Sequence, residues 1–280
     1  MKYNDIKQAL LLMSREDKEH LNQLKRSNNI VGLSGGKDSL ATCILLHWLD
    51  IHFQTITAEV WWKNGIPGEN PYHYDFMHET AFPKLESWGV VCHIVRSDIT
   101  AYDYMTTPIR RSKHEDRVGK LRGFPLCGKC GIQRDCKTKP CEKFYKKQGG
   151  YTCILGIAND EKDRLLTNKA NSKISLLELL KVNEFDTFPI CNQENLLSPT
   201  YSFSDRGGCW FCPNQKIQEL ELLYRSLPNL WQELMVIQDM PNKCQENFNR
   251  TQTLYDIEKQ IKNGVQQKIF VGHLMQGGTT

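Results

Sequence analysis

The chain has 280 residues, 40% of them hydrophobic, enough for one large domain or for a domain with an appendage. Its formal charge of +4 is mild, and no apolar run approaches the ~20 residues of a membrane span, so no membrane partner is expected. Eleven cysteines without a secretion signal point to a reducing, cytoplasmic setting, where clustered thiols hold metal or do chemistry rather than form disulfides.

Residues 1–28 begin with Asp5, Lys7, Arg15, Glu16, Asp17, Lys18 and Glu19 around an apolar stretch at Ala9 to Met13. That is an amphipathic helical segment, not a signal peptide. Ile30 to Leu33, apolar apart from Gly32, reads as a buried strand, and Ser34-Gly35-Gly36 breaks it. From Leu40 the pattern turns helical, with Leu40, Ile44, Leu45 and Trp48 on one face. Adjacent glycines let backbone N–H groups face an anion, and the new helix adds its N-terminal partial charge. Lys37 adds a full charge, and Ser34 and Ser39 add hydroxyls, so the stretch is a phosphate cradle. It is not a Walker A loop, because only three residues separate Gly32 from Gly36 and Asp38 follows the lysine. A Gly-x-Gly-x-x-Gly dinucleotide fingerprint is also absent.

Phe53 to Trp61 reads as a second strand, Val90 to Val95 as a third and Thr152 to Ala158 as a fourth. Between the second and third, His73 to Trp88 reads as a helix with Phe76, Ala81 and Leu85 inward and a kink at Pro83. This alternation predicts an α/β fold with a doubly wound, mainly parallel sheet. Ligands in such sheets sit at the carboxyl ends of strands, where Glu59 lies, although a solvated carboxylate is an equal reading of that residue. Periodicity disappears from Thr100 to Phe124. Over 110–147 thirteen Lys/Arg stand against four Asp/Glu, the signature of a polyanionic partner such as a nucleic acid or, otherwise, of a solvated face. Lys216 to Met240 and Gln245 to Lys262 have helical spacing and predict a helical C-terminal extension.

Cys127, Cys130, Cys136 and Cys141 fall within fifteen residues, and Cys209 and Cys212 form a second Cys-x2-Cys. Either the first four make a closed metal site, or two of them join Cys209 and Cys212; Cys191 is a further candidate ligand. Zinc and iron–sulfur clusters both suit four thiolates at such spacings.

Ser34-Gly35-Gly36-Lys37-Asp38-Ser39 resembles the Ser-Gly-Gly-x-Asp-Ser signature of the PP-loop superfamily of nucleotide α-hydrolases. Gly156, Glu161 and Arg164 match the pattern of its phosphoadenylylsulfate and adenylylsulfate reductase family, and Arg206 to Pro213 is similar to the same family. The resemblance implies an adenine nucleotide α-hydrolase-like domain over 29–214 with a cysteine-rich basic insertion at 110–147, followed by helices over 215–280. It implies ATP or phosphoadenylylsulfate as substrate, with Ser34, Gly35, Gly36, Lys37, Asp38, Ser39, Glu59, Gly156 and Glu161 binding the nucleotide. Lys37, Asp38 and Arg164 would be catalytic, Asp38 orienting the loop or holding Mg2+, and Arg164 binding phosphate or sulfate. A [4Fe–4S] cluster held across the fold belongs to that family, but the adjacent Cys-Cys pair of its first half is missing here. No cysteine follows Cys244, so the reductases' C-terminal Glu-Cys-Gly-x-His nucleophile has no counterpart. Adenylation followed by sulfur or nitrogen transfer to a nucleic acid or small acceptor is therefore the expected reaction. A reductase with an internal cysteine and a nucleic-acid-binding module with structural nucleotide are the alternatives.

Overall fold

The structure is a computed structural model that describes residues 10–63, 65–126, 128, 130–170, 172–205 and 207–264. The first residues of the N-terminal segment, Cys127, Arg206 and residues 265–280 of the expected helical extension lie outside the described residues. By contact the chain divides into two compact units. The described residues of 1–60, 69–98 and 136–208 form the first, and those of 61–68, 99–135 and 209–280 the second. The division cuts across the linear boundaries expected at 28 and 214, and residues 110–147 are shared between the units.

The first unit is α/β. Its strands are β1 (Asn29–Gly32), β2 (Gln54–Glu59), β3 (Val91–Arg96) and β4 (Thr152–Leu155), all parallel in the order β3-β2-β1-β4. Ile30 lies opposite Gln54 on one side and Cys153 on the other, so β1 is central and Ile30 and Val31 are fully buried. The chain moves outward from β1 through β2 to β3, then returns to place β4 on the far side of β1. That reversal opens a crevice beyond the carboxyl ends of β1 and β4.

Five helices of this unit matter below: α1 (Arg15–Arg26), α2 (Lys37–Trp48), α3 (Pro71–Phe76), α4 (Lys139–Tyr145) and α5 (Glu184–Gln193). Residues 10–12 of the apolar run are helical, the helix breaks at Met13, and Ser14 starts α1 afresh by accepting the Asp17 N–H at 3.0 Å. Leu21 and Leu24 are its buried residues. In α2 every residue from Ser39 to Leu46 is buried, not one face alone, and the helix packs against α5. A helix apolar nearly all round must be enclosed.

In place of one helix over His73 to Trp88 there are three consecutive helical segments around Pro83. A π-helical turn at Met77–Ala81 carries α3 into the helix Phe82–Ser87, where Pro83 sits in the first turn. The first turn of a helix is where proline, which has no N–H to donate, is tolerated.

The second strand stops at Glu59 instead of running to Trp61. Trp61–Lys63 pairs antiparallel with Ile66–Pro67 and belongs to the second unit. Trp62 there packs on Trp210 and Phe211, with ring centroids 4.7 and 5.1 Å apart, and its indole N–H donates to Glu233 at 2.8 Å. Helices Ala101–Thr106, Ile217–Ser226, Pro228–Asp239 and 254–264 complete this unit. The first of them falls in the stretch without periodicity; its capping box, Thr100 with Asp103, is the sequence signal for it. Among the described residues no helix is long and apolar enough to cross a membrane.

Candidate nucleotide-binding site

The loop between β1 and α2 lies in the crevice of the first unit. Gly35 adopts φ +73°, which an L side chain resists, and a Cβ there would strike Met77 Sδ and lie 2.8 Å from the His73 ring. Gly36 is the N-cap of α2 with an ordinary φ of −70°, so of the two glycines only Gly35 is conformationally required. The hydroxyls of Ser34 and Ser39 meet at 3.2 Å, and Ser39 Oγ donates to the Gly36 carbonyl at 2.9 Å. Lys37 N–H donates to the Tyr201 hydroxyl at 2.9 Å. Among the described residues the N–H groups of Gly35, Asp38 and Ser39 have no hydrogen-bond partner. They are unsatisfied donors at the positive end of an enclosed helix.

Gly156, the residue after β4, seals the other wall. A Cβ on it would lie 2.5 Å from Ser39 N and 2.6 Å from the Asp38 carbonyl carbon. Only a glycine lets this chain approach the first turn of α2.

Lys37 Nζ is held by two carboxylates, Asp38 Oδ1 at 2.9 Å and Glu184 Oε1 at 2.8 Å. Burial alone would lower the pKa of this ammonium, but the bonds from Glu184 and Asp38 outweigh it and the net shift is upward. Asp38 Oδ1 also accepts from Thr187 Oγ1 at 3.0 Å. Cys191 Sγ, on α5, donates to the Lys37 carbonyl at 3.2 Å, and burial pushes its thiol up to about 12. It packs beneath the loop, within the first unit.

A cavity of about 190 Å³ adjoins the loop at the carboxyl ends of β1 and β2, walled by Ser34, Ala58, Glu59, His73, His78 and Lys137 among others. Glu59 is buried there and accepts from His78 Nε2 at 2.7 Å and from Arg96 at 2.7 and 2.9 Å. Glu69 meets Lys137 at 2.6 Å; burial raises its pKa, Lys137 lowers it further, and the net shift is downward. Cys141, on α4, lines the same cavity, and burial pushes its thiol up to about 11. Sequence reading missed His73, His78, Glu69 and Glu184. Nothing in a linear pattern marks them, since their partners are 19 to 147 residues away.

His73 is the support under the loop. Its Nε2 meets the Ser34 carbonyl at 3.2 Å and its Nδ1 meets Ser198 Oγ at 3.0 Å. Burial lowers its pKa, Glu69 and the Ser34 carbonyl raise it, and the net shift is below 6.5. Between that lowered value and 6.5 the unfolded chain binds the extra proton, so stability is complete above pH 6.5 and is lost as pH falls below it. His73→Gln should therefore flatten the acid side of the stability profile. Urea midpoints between about pH 7 and 5 check this, and parallel profiles for both proteins would refute it.

Glu161 and Arg164 form an ion pair with each other on the helix Lys162–Ala170 and its approach, and Glu161 also accepts the Ala158 N–H at 3.1 Å. Arg164 is exposed, and its contacts are those of a helix-surface pair. The structure thus brings Ser34 to Ser39 and Gly156 together, places Glu59 in the adjoining cavity, and pairs Arg164 with Glu161.

Cys136 and Cys141 fall in the first unit, Cys130, Cys209 and Cys212 in the second, and Cys127 lies outside the described residues. Cys209 and Cys212 form a tight turn closed by Cys212 N–H to Cys209 O at 3.1 Å, and Cys130 Sγ accepts the Gln133 N–H at 3.4 Å. Among the described residues no group of three or more His, Cys, Asp or Glu side chains is arranged to hold a metal ion.

No protein-family model and no curated protein sequence matches the chain.

Proposed function

We propose that the protein is a PP-loop enzyme that binds ATP or a sulfonucleotide and acts on the α-phosphate side. The observation that carries this is the loop itself: unpartnered N–H groups of Gly35, Asp38 and Ser39 at the start of an enclosed helix, with Lys37 beside them, in the crevice where the strand order reverses. The phosphates lie on these donors, and the adenosine end enters the cavity between the ends of β1 and β2, where Glu59 and Ala58 line the wall.

The reaction is adenylation. An acceptor oxygen attacks the α-phosphorus, the bond to the β-phosphate breaks and pyrophosphate leaves; sulfur or nitrogen then displaces AMP from the activated carbon. Lys37 and the loop amides stabilise the charge that develops on the phosphate oxygens, an electrostatic contribution that requires no proton transfer. Asp38 and Glu184 offer the hard oxygen donors that suit Mg2+ together with substrate phosphates and water. Bound there, the ion would neutralise phosphate charge.

Incubation with ATP, assayed for AMP and pyrophosphate, tests the reading; calorimetry showing no binding of ATP or phosphoadenylylsulfate would sink it. A reductase is the second reading, favoured by Cys141 in the cavity wall. Sulfite release from phosphoadenylylsulfate would decide for it. Zinc, iron and acid-labile sulfide measured on the purified protein decide whether Cys209 and Cys212 hold metal.

Glu184 competes with the nucleotide for Lys37. Its carboxylate side is 56% exposed, so the pair contributes about 0.5–1 kcal/mol. Glu184→Gln should tighten ATP binding roughly two- to fivefold in the absence of Mg2+, read by calorimetry. Weaker binding would instead make Glu184 a direct contributor to the site.

A further inference from the structure

The basic run at 110–147 is not one surface. Arg122 is committed to the carbonyls of Tyr104 and Thr107 and lies over the Tyr104 ring. Arg134 pairs with Asp135, and Lys137 with Glu69. Apart from these, from α4 and from the two lysines that follow it, the described basic residues of the run form a tongue in the second unit. Ile109 N–H donates to Lys120 O and Gly119 N–H to Ile109 O, both at 2.9 Å, and Pro108 bridges Leu121 antiparallel. The tongue's base is fixed by bonds of Leu121 with Asn242 and Cys244, and its tip is the short turn Glu115–Arg117.

Arg110, Arg111, Lys113 and Arg117 are exposed on this tongue, with Lys120 half-buried at its root. Among the described residues none of the five makes a side-chain hydrogen bond or ion pair, although Glu115 and Asp116 stand beside them. An ordinary solvated face interleaves and pairs its charges. Here five basic side chains stand against Glu115 and Asp116 on twelve residues, a surplus of three, and they are held by a backbone-bonded scaffold without pairing.

We propose that this tongue binds the phosphodiester backbone of a nucleic acid, independently of sequence. Residues 109–120 contain no Phe, Tyr or Trp, and Val118 is the exposed large apolar residue on them, so the tongue lacks the large aromatic anchors of a protein interface, and His114 is its one aromatic ring. Cations alone suffice for phosphate contacts, which position a nucleic acid without reading it. Three of the five are arginines, whose fork bonds phosphate bidentately. The proposal names the class of acceptor for the adenylation reading and depends on that reading for the acceptor's role, while the binding itself does not.

The test is fluorescence polarisation of a labelled single-stranded oligonucleotide and its duplex over a salt series. Arg110→Gln/Arg111→Gln/Lys113→Gln should weaken binding at low salt at least about tenfold and flatten the slope of log affinity against log salt. The slope should fall by about 0.7 per lost contact on the single strand and about 0.9 on duplex DNA. Arg110→Lys/Arg111→Lys keeps the charges and should keep the slope, which separates lost contacts from a misfolded tongue. Gln substitutions at Lys143 on α4 and at Lys146 and Lys147 just after it should leave most of the binding. Unchanged binding in the tongue variant, loss only in the α4 variant, no binding by wild type at low salt, or equal competition by polyglutamate would overturn the proposal. ATP calorimetry on the same proteins keeps the two readings apart: oligonucleotide binding through the tongue with no ATP binding would fail the adenylation reading and leave this one standing.

Discussion

Lys37→Ala should lower ATP affinity by at least about a hundredfold while the chain stays folded. The ammonium is the full positive charge on the loop, and a hydrogen bond to a charged group contributes about 1.5–3 kcal/mol. Its removal does more than delete that bond, because Asp38 and Glu184 would then face the incoming phosphates with no cation between them. Both carboxylates keep access to water, at 22% and 56% exposure, so the folded state tolerates the loss. Calorimetry reads the affinity and circular dichroism the fold; near wild-type affinity in a folded variant would remove Lys37 from the site.

Gly156→Val should distort the same site from the opposite side. Its Cβ would lie 2.5 Å from Ser39 N, so either α2 or the end of β4 must move. Forcing atoms into a filled position costs about 1–3 kcal/mol, equivalent to a fall in Tm of about 2–12 °C for a unit of this size. Nucleotide binding should fall along with stability, since the displaced peptide is the one carrying the Ser39 N–H. A variant with unchanged Tm and ATP affinity would show that the crevice is wider than the geometry allows.

The parallel sheet was legible because its strands are short apolar runs separated by glycine turns, and β1, β3 and β4 fall within a residue or three of the expected limits. The loop was legible because its chemistry is local: Gly35, Gly36, Lys37 and the two serines are contiguous. The end of β2 was not, since Val60 and Trp62 continue the hydrophobic pattern while the chain passes into another unit. Nor was the state of Lys37, which depends on Glu184, or the seat of the loop, which depends on His73 and Ser198. Arg164 shows the converse: a motif placed it at the site, and local helix geometry pairs it with Glu161.

Tyr201 caps Lys37 from 164 residues further along the chain, and this sets an order of events during synthesis. The loop, Lys37 and α2 leave the ribosome early, but Glu184, Ser198 and Tyr201 follow only after most of the first unit has been made. At about 5–20 residues per second the interval is about 8–33 s. During it the nascent chain displays α2, whose residues from Ser39 to Leu46 are all buried in the finished unit, with neither its cover nor its capping hydroxyl. A ribosome stalled before residue 201 would carry an intact loop sequence without the hydroxyl that caps Lys37.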